Sequence, residues 1–505
     1  MATAAQMENM PATKGRDLWK FGDAAVLLAY SCVVLWTLQY HEKWADEAQA
    51  WLIARDLDLR TIWFHELRYE GSPGLWHTIL WIAQHVFHAG YGDLGYIGVT
   101  FAIAGAAILI LCAPFPRYIR WPLAFTYVMV YQYAVISRPY TILPLLAFTA
   151  AIFFKDKEHP ERIAIILVLL VLLTLHGAIL AGCLGFAYLL ESIPTWSRFT
   201  PLVKRRFIVS TTVIILSFVF LLLILWPSSD VEEFAMKDQA AKIAESLHVP
   251  PATPSMKFIS IITGAFADYL SLSLVFLAVL VAWFVIRRKL LVFLLPVGLL
   301  VALYVKVHGY SHHHGTVTVG AMAALWIAWP NSEEMKSFNK IERRLAHALI
   351  ATLLMFCGIQ IWDAAVAIKH EYVYPYSGAE DAAKFIKPTV DERKPIMGYL
   401  YGVAGIQPYF DHNIFANMPT SYFHHGAPLH GTTFDLDEIV RIQPELIVIF
   451  SEQPQLMSDS GILNNFAPLG FRIVHFSDGY LLYRQGVYVR QAYFILGHQN
   501  EKEAR

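Results

Sequence analysis

Eleven apolar runs recur along this 505-residue chain, and they limit its fold more than any other feature. Hydrophobic residues make up 56% of the chain and charged residues 16%, a composition too apolar for a set of soluble domains. About 20 helical residues cross a bilayer, so these runs, several of them extended by their neighbours, predict a polytopic α-helical membrane protein of about eleven spans. The runs are 22–40, 94–112, 121–137, 140–154, 163–175, 178–193, 207–227, 259–286, 290–306, 316–330 and 346–368.

A twelfth run, 75–88, is shorter than a span, and its treatment decides the topology. We predict that it lies at the interface or half-buried without crossing. With a cytoplasmic tail at 1–21, the basic loops then all face the cytoplasm, as the positive-inside rule requires. If 75–88 crossed the membrane, every later loop would lie on the opposite side of it. The prediction is a multi-pass inner-membrane protein with a multi-span domain at 22–368, a first outer loop at 41–74 and an extracytoplasmic segment at 369–505. The basic loops are Arg117/Arg120, Lys155/Lys157/Arg162, Lys204/Arg205/Arg206, Arg287/Arg288/Lys289 and Lys336/Lys340/Arg343/Arg344.

The last segment of the chain has the mixed charge and short apolar runs of a soluble domain. Its pattern predicts a helix at 378–386 and strands near 395–401 and 445–450. A hairpin is predicted over 471–483, with Ser477-Asp478-Gly479 at its turn. We therefore expect a small C-terminal α/β domain outside the membrane.

Charge and cysteine usage exclude several classes of function. The formal net charge is -1, so no global field attracts nucleic acid, and none is expected as a partner. The four cysteines, all inside apolar runs at scattered spacing, fit packed thiols rather than a disulfide framework or a zinc site. Membrane lipid is the partner that composition does predict.

The first outer loop contains an acidic pair, Asp46-Glu47, directly after the first span. A short helix there would carry Asp46 and Gln49 on one face together with Glu42, at the height of lipid head groups. Glu70 follows in the same loop, just before Gly71-Ser72-Pro73-Gly74. These carboxylates are candidate catalytic groups. A solvated amphipathic helix is the alternative interpretation.

Cationic and histidine side chains gather at the other predicted outer turns. The planar guanidinium of Arg can bind a phosphate through a fork of two hydrogen bonds, and the ammonium of Lys can bind it as a point charge. Both side chains can also extend their charge to the membrane interface without any further function. Histidines there could donate hydrogen bonds to phosphate or sugar, whereas a divalent cation site is the less favoured alternative, because consecutive histidines cannot all face one metal. No cofactor is otherwise expected. The candidate donor-binding residues are Arg138, Tyr140, His176, Lys306, His308, Tyr310 and His312.

The acidic pair after the first span, followed about 25 residues later by a Gly/Pro-bearing turn into an apolar run, resembles the C-type glycosyltransferase superfamily. Its nearest branch holds the protein O-mannosyltransferases and lipid A aminoarabinose transferases. The resemblance implies transfer of a sugar from a polyprenyl phosphate carrier, with Asp46 as general base. Relatives often carry an acidic residue in the second outer loop, where this chain has Ser137-Arg138-Pro139-Tyr140, which leaves the sugar and the acceptor open.

Two functions are therefore weighed. The first is a glycosyltransferase that moves a sugar to a glycan, lipid or protein acceptor at the outer face, by inverting displacement with a carboxylate base. The second is a transporter or flippase of a lipid-linked saccharide, which should carry mid-membrane charges and paired halves. Here the charges gather at one face and no repeated half is visible. The outer loop 228–258 is either a flap over that face or a plain connector.

Overall fold

The structure is a computed structural model, and it describes residues 12–226, 253–307, 311–424, 435–459, 461–482 and 487–498. The predicted flap or connector at 228–258 falls mostly outside these residues, as do His308 and Tyr310.

Helices dominate the first three quarters of the chain, as the apolar runs predict. The main helices are α1 (Ala12–Leu38), α2 (Ala45–Asp56), α3 (Leu75–His85), α4 (Leu94–Cys112), α5 (Arg117–Ala124), α6 (Leu143–Phe153), α7 (Pro160–Val171), α8 (Leu175–Ser192), α9 (Pro201–Ile224), α10 (Pro254–Ala265), α11 (Leu270–Ile286), α12 (Leu290–Lys306), α13 (Ser311–Ala328) and α14 (Lys340–Val373). Shorter helical segments are Leu59–Thr61, Ile62–Glu66, Leu67–Glu70, Tyr91–Asp93, Val128–Gln132, Pro139–Thr141, Ile193–Arg198 and Ser332–Lys336.

Each of the eleven apolar runs coincides with helix, but the helices differ in length. Within the described ranges, five are long and apolar enough to cross a membrane alone, and a sixth span results if α10 and α11 count as one. The remaining apolar helices are shorter, as in α6 and α12. The multi-helix architecture is therefore confirmed, whereas the number of eleven spans and the sidedness stay predictions. The predicted half-buried run at 75–88 forms the eleven-residue helix α3.

Two of the runs are not single straight helices. Run 121–137 consists of α5, which contains Pro122, and then the π-helical segment Val128–Gln132, whose residues are all buried. Proline removes a backbone donor and interrupts a regular helix, which fits this break. Run 259–286 bends by 74° between α10 and α11. Asp268, at that bend, has a φ of 58°, in the left-handed region that a continuous helix cannot contain.

The segment after α14 folds into the expected α/β domain. It contains α15 (Ala379–Asp391), β1 (Ile396–Tyr399), α16 (Leu436–Ile442), β2 (Leu446–Ser451), α17 (Pro454–Asp459), β3 (Phe471–Leu482) and β4 (Tyr488–His498), with 3₁₀ turns at Tyr401–Gly405, Gln407–Tyr409 and Ile462–Leu469. The strand order is β1-β2-β4-β3, with β1 parallel to β2 and the other pairs antiparallel. Apolar side chains fill both faces of this sheet, and α15 packs on one of them.

The predicted hairpin turn at Ser477-Asp478-Gly479 is wrong. These residues lie inside β3, paired with Tyr493, Ala492 and Gln491 of β4. Gly479 is required there by a close backbone approach, since a Cβ would lie 2.3 Å from the carbonyl carbon of Ser377. These residue types, which are common in turns, are thus explained here by packing against the end of the bundle.

The C-terminal domain docks on the first loop of the bundle. The Gln49 side chain exchanges hydrogen bonds with the backbone of Phe423, and Nη1 of Arg55 donates to the Phe410 carbonyl oxygen at 2.7 Å. Glu42 accepts a hydrogen bond of 2.7 Å from the Glu380 amide, at the start of α15. Helix α2 is therefore held between the bundle and the domain.

Candidate active site

The start of α2 is fixed by a buried network of two carboxylates and a histidine. Nε2 of His41 lies 3.0 Å from Oε2 of Glu47, and its Nδ1 lies 3.0 Å from Oε1 of Glu371, the residue near the end of α14. The hydroxyl of Tyr131 donates to the same Glu371 oxygen at 2.6 Å. All three charged side chains are almost completely buried.

Glu47 is saturated by this network. Its Oε1 accepts a hydrogen bond of 2.7 Å from the Ser137 amide, while its Oε2 accepts one of 3.3 Å from the Trp44 amide besides the contact with His41. Burial opposes charge on Glu47, but the imidazolium of His41 outweighs it and holds the pKa of this carboxyl below its ordinary value. For His41, burial opposes charge as well, yet Glu371 and Glu47 raise its pKa to about 10.

Asp46 points away from this network and contacts Arg138. Its Oδ2 lies 2.9 Å from Nη1 of Arg138, and the two side chains remain 25% and 21% exposed. Burial opposes the guanidinium charge, but the Asp46 carboxylate more than offsets it, so the pKa of Arg138 lies above its ordinary value. This pair is the partly open end of an otherwise buried polar cluster.

The helix geometry explains why neighbours have such different environments. Successive residues of a helix point about 100° apart, so Asp46 and Glu47 cannot face the same way. Trp44 is the N-cap of α2, which places Glu42 before the helix. The prediction that Glu42 shares a helix face with Asp46 and Gln49 is therefore wrong for Glu42, whose carboxylate instead meets the start of α15.

Arg138 joins Asp46 to a layer of aromatic and imidazole rings. Its Nη1 donates to Nε2 of His312 at 3.1 Å, and its guanidinium lies 5.6 Å from the centre of the Tyr140 ring. The hydroxyl of Tyr140 lies 3.2 Å from Nδ1 of His176. The His176 ring is 4.7 Å from that of His313. The structure thus brings together residues from four separate predicted outer segments.

A small cavity lies beside Arg138. Its volume is about 30 Å³, enough for a water molecule and too small for a sugar. The bundle contributes Trp44, Arg138, Tyr140 and His312 to its wall, and the C-terminal part of the chain closes it with Tyr376, Leu481 and Leu482. Any substrate larger than water therefore needs these walls to separate.

Glu70 contacts α2 one turn after Asp46. Nε2 of Gln49, one turn after Asp46, donates to Oε1 of Glu70 at 2.8 Å. The same amide contacts Phe423 of the C-terminal domain. Glu70 is therefore linked, through Gln49, to the contact between the first outer loop and the C-terminal domain.

The overall structure is similar to two crystal structures of ArnT from Cupriavidus metallidurans. The TM-score is 0.54 for the apo state and 0.50 for ArnT bound to undecaprenyl phosphate. Each comparison covers 96% of this chain and 98% of the ArnT chain, at 11% sequence identity. The chain therefore shares the overall fold of ArnT. No protein-family model and no curated protein matches the sequence.

Within this ArnT-like fold, the remaining candidate residues have different positions. Lys306 is exposed at the last residue of α12. Tyr304, two residues earlier, stacks its ring on that of His313, with ring centres 5.8 Å apart. His312 and His313 were expected in a loop, but α13 begins at Ser311 and includes both. Among the described residues, no group of three histidine, cysteine or acidic side chains is arranged to hold a metal ion.

Several residues of this candidate site could not be picked out from the sequence. His41 and Glu371 form the buried network although 330 positions separate them. Tyr131 and Tyr133 are hidden within an apolar run, and Tyr133 stacks on Tyr140 with ring centres 5.3 Å apart. The available signal was a histidine and an acidic residue just beyond two predicted span ends, which only a three-dimensional fold pairs.

Proposed function

We propose that the chain is a membrane glycosyltransferase that moves a sugar from a polyprenyl phosphate carrier to an acceptor hydroxyl at the outer face. The observation that carries the proposal is the Asp46–Arg138 pair, which places a carboxylate and a guanidinium 2.9 Å apart in a C-type fold. One of the similar structures is ArnT bound to undecaprenyl phosphate, which supports a polyprenyl phosphate as the donor carrier.

In this proposal Asp46 is the general base. The acceptor oxygen attacks the anomeric carbon, the bond from that carbon to the phosphate oxygen breaks, and the hydroxyl proton passes to Asp46. The sugar leaves with inverted configuration, and the free carrier phosphate is the other product. Asp46 suits this task better than Glu47, because both Glu47 oxygens are already occupied by His41 and backbone amides.

Arg138 is proposed to hold the leaving phosphate. A guanidinium has a fixed fork of donors, so it can bind phosphate oxygens bidentately and stabilise the charge that develops on them. Before the donor arrives, Asp46 neutralises Arg138. Once the donor phosphate binds the Arg138 guanidinium, the Asp46 carboxylate is free to accept a proton. His312 and Tyr140, which contact Arg138, support its position.

Glu47 is proposed as a positioning residue, and Glu70 as a residue that acts through Gln49 and the docked domain. Lys306, His308 and Tyr310 are retained as candidate donor-binding residues near the start of α13. The sugar remains to be identified, and the acceptor is a hydroxyl of a glycan, a lipid or a protein. Donor entry requires the wall at Tyr376, Leu481 and Leu482 to move away from Arg138.

The test is sugar transfer in membranes with a panel of radiolabelled undecaprenyl-phosphate sugars. Asp46→Asn keeps volume and hydrogen bonding but removes the base, so we expect transfer to fall by about 10²–10⁴-fold. Glu47→Gln should matter less, and Glu70→Gln should lie between them. Asp391→Asn, on an exposed face of α15, is the matched control and should keep full activity.

Three results would count against this assignment. Full activity of Asp46→Asn beside an inactive Glu47→Gln or Glu70→Gln would place the base elsewhere. Full activity of all three variants would remove the chemical basis of the proposal. Movement of an intact lipid-linked saccharide across vesicles, without transfer, would favour the transporter or flippase instead.

A further inference from the structure

An open apolar groove lies between α7, α8 and α9, away from the candidate active site. It has a volume of about 200 Å³ and is lined almost entirely by apolar side chains. Gly182 and Gly185 of α8 keep it open, since an added Cβ would lie 3.3 Å from Phe218 or Leu167. A second groove of about 510 Å³ shares the walls Leu189, Phe207 and Thr211. The two grooves are therefore adjacent, with these three side chains between or beside them.

Lys157 lies at one end of this groove, above Tyr188, which lines it. Its Nζ is 3.5 Å from the centre of the Tyr188 ring and 4.6 Å from that of Phe154. It donates one hydrogen bond, of 3.4 Å, to the Tyr188 carbonyl oxygen. An ammonium has three donors, so this contact leaves it able to bind a further acceptor. Burial lowers the pKa of Lys157 to about 7.

The carboxylates around Lys157 are engaged by other cations. Glu191 pairs with Lys289 at 2.6 Å, and Asp156 pairs with Arg162 at 3.1 Å. Glu161 is contacted by His159 at 3.2 Å and by Arg206 at 3.8 Å. Within the part of the chain that the structure describes, no carboxylate lies within ion-pair distance of Lys157. A half-buried cation therefore lies at the mouth of an apolar groove without a counter-ion from the protein.

The groove and the candidate active site lie at different ends of α8. His176, in the first turn, contacts Tyr140, whereas Tyr188 is twelve residues later, or about 18 Å along the axis. A phosphate on Lys157 is thus separate from one on Arg138. In the predicted topology the loop with Lys157 faces the cytoplasm, where the leaflet surface is rich in anionic lipid.

We propose that this groove binds one anionic glycerophospholipid, with an acyl chain between α7, α8 and α9 and the head-group phosphate on Lys157. Charge complementarity selects the anionic head group, and the narrow, unbranched shape of an acyl chain fits the path past Gly182 and Gly185. The site is independent of the proposed sugar transfer. A bound lipid would also supply the counter-ion that Lys157 lacks.

The test is native mass spectrometry of the delipidated full chain in detergent, titrated with phosphatidylglycerol or phosphatidylcholine. The wild type should bind one phosphatidylglycerol with high affinity and phosphatidylcholine weakly. Lys157→Gln should weaken phosphatidylglycerol at least about tenfold, since a charge-assisted hydrogen bond is lost, and Lys157→Arg should retain it. Lys336→Gln, an exposed lysine paired with Glu333, is the matched control and should bind normally.

Gly182→Leu fills the groove and should also abolish tight binding of phosphatidylglycerol. If the Gly182→Leu protein does not fold, Thr211→Phe serves as the groove-filling variant instead. Equal affinity for the two lipids, or unchanged binding in Lys157→Gln, would overturn the proposal. Displacement of phosphatidylglycerol by undecaprenyl phosphate in both wild type and Arg138→Ala would also overturn it, because the groove would then belong to the carrier.

Discussion

Oδ2 of Asp46 and Nη1 of Arg138 are 2.9 Å apart, and this contact connects the first predicted outer loop with the second. Both side chains are partly exposed. We propose that a donor phosphate replaces Asp46 as the partner of Arg138.

Arg138→Lys is predicted to impair donor binding although the charge is kept. Lysine offers a point charge and lacks the guanidinium fork, so the bidentate contact with phosphate is lost. We expect the KM for the polyprenyl-phosphate sugar to rise about tenfold or more. Arg138→Ala and Lys306→Ala should both weaken binding of undecaprenyl phosphate, and normal donor affinity in both would limit these residues to an interfacial role.

Glu47→Gln is predicted to destabilise the protein, in contrast to Asp46→Asn. Glu371 still pairs with His41 in this variant, but the charge-assisted hydrogen bonds of Glu47 with His41 and the Ser137 amide are lost, at a cost of about 1.5–3 kcal/mol. Thermal unfolding in detergent should therefore show a clearly lower Tm for Glu47→Gln and a Tm near wild type for Asp46→Asn. Equal Tm values for the two variants would contradict the structural role given to Glu47.

The His41 network predicts a defined pH range of stability. The pKa of His41 is raised from 6.5 to about 10, so its contribution is complete below about pH 6.5 and is lost as the pH rises towards 10. The pKa of Glu47 is lowered, so its contribution is present above its ordinary value of 4.5 and is lost as the pH falls further. A Tm profile from pH 4 to 10 should decline at both ends, and His41→Gln should lack the alkaline decline.

The topology prediction is tested by reporter fusions. If α3 does not cross the membrane, a reporter after Arg288 lies in the cytoplasm and one after Arg505 lies outside. Alkaline phosphatase and green fluorescent protein fusions at both positions distinguish the two sides. A cytoplasmic reporter at Arg505 would invert the assignment, and with it the face on which Asp46 lies.

The apolar runs predicted the helices well, because a membrane span needs an unbroken stretch of apolar residues, which can be read directly from the sequence. They did not predict the break inside run 121–137, although Pro122 was a visible signal for it, or the 74° bend between α10 and α11, where Asp268 has a left-handed φ. Ser477-Asp478-Gly479 has the residue types of a turn. Asp478 instead binds Tyr480 and Arg490 within the sheet, and Gly479 lets the Ser377 backbone approach.

The candidate site could be predicted as a set of residues but not as a set of contacts. Asp46, Arg138, Tyr140, His176 and His312 were all expected to act together, and the structure brings them into one cluster. The distinct environments of Asp46 and Glu47 could not be foreseen, since they depend on Glu371 and on the Ser137 amide, far away in the sequence.

The link from His41 to Glu371 has a consequence for the order in which the protein matures. Glu371 lies near the end of α14, the last long helix before the C-terminal domain, so a growing chain lacks it until nearly all of the bundle has been synthesised. Until then His41 lacks one of its two carboxylate partners, and α2 is not anchored to α14, the last long helix of the bundle. A nascent chain that ends before residue 371 consequently contains Asp46 and Arg138 without the support that positions them, so transfer activity would arise only in the final stage of biosynthesis.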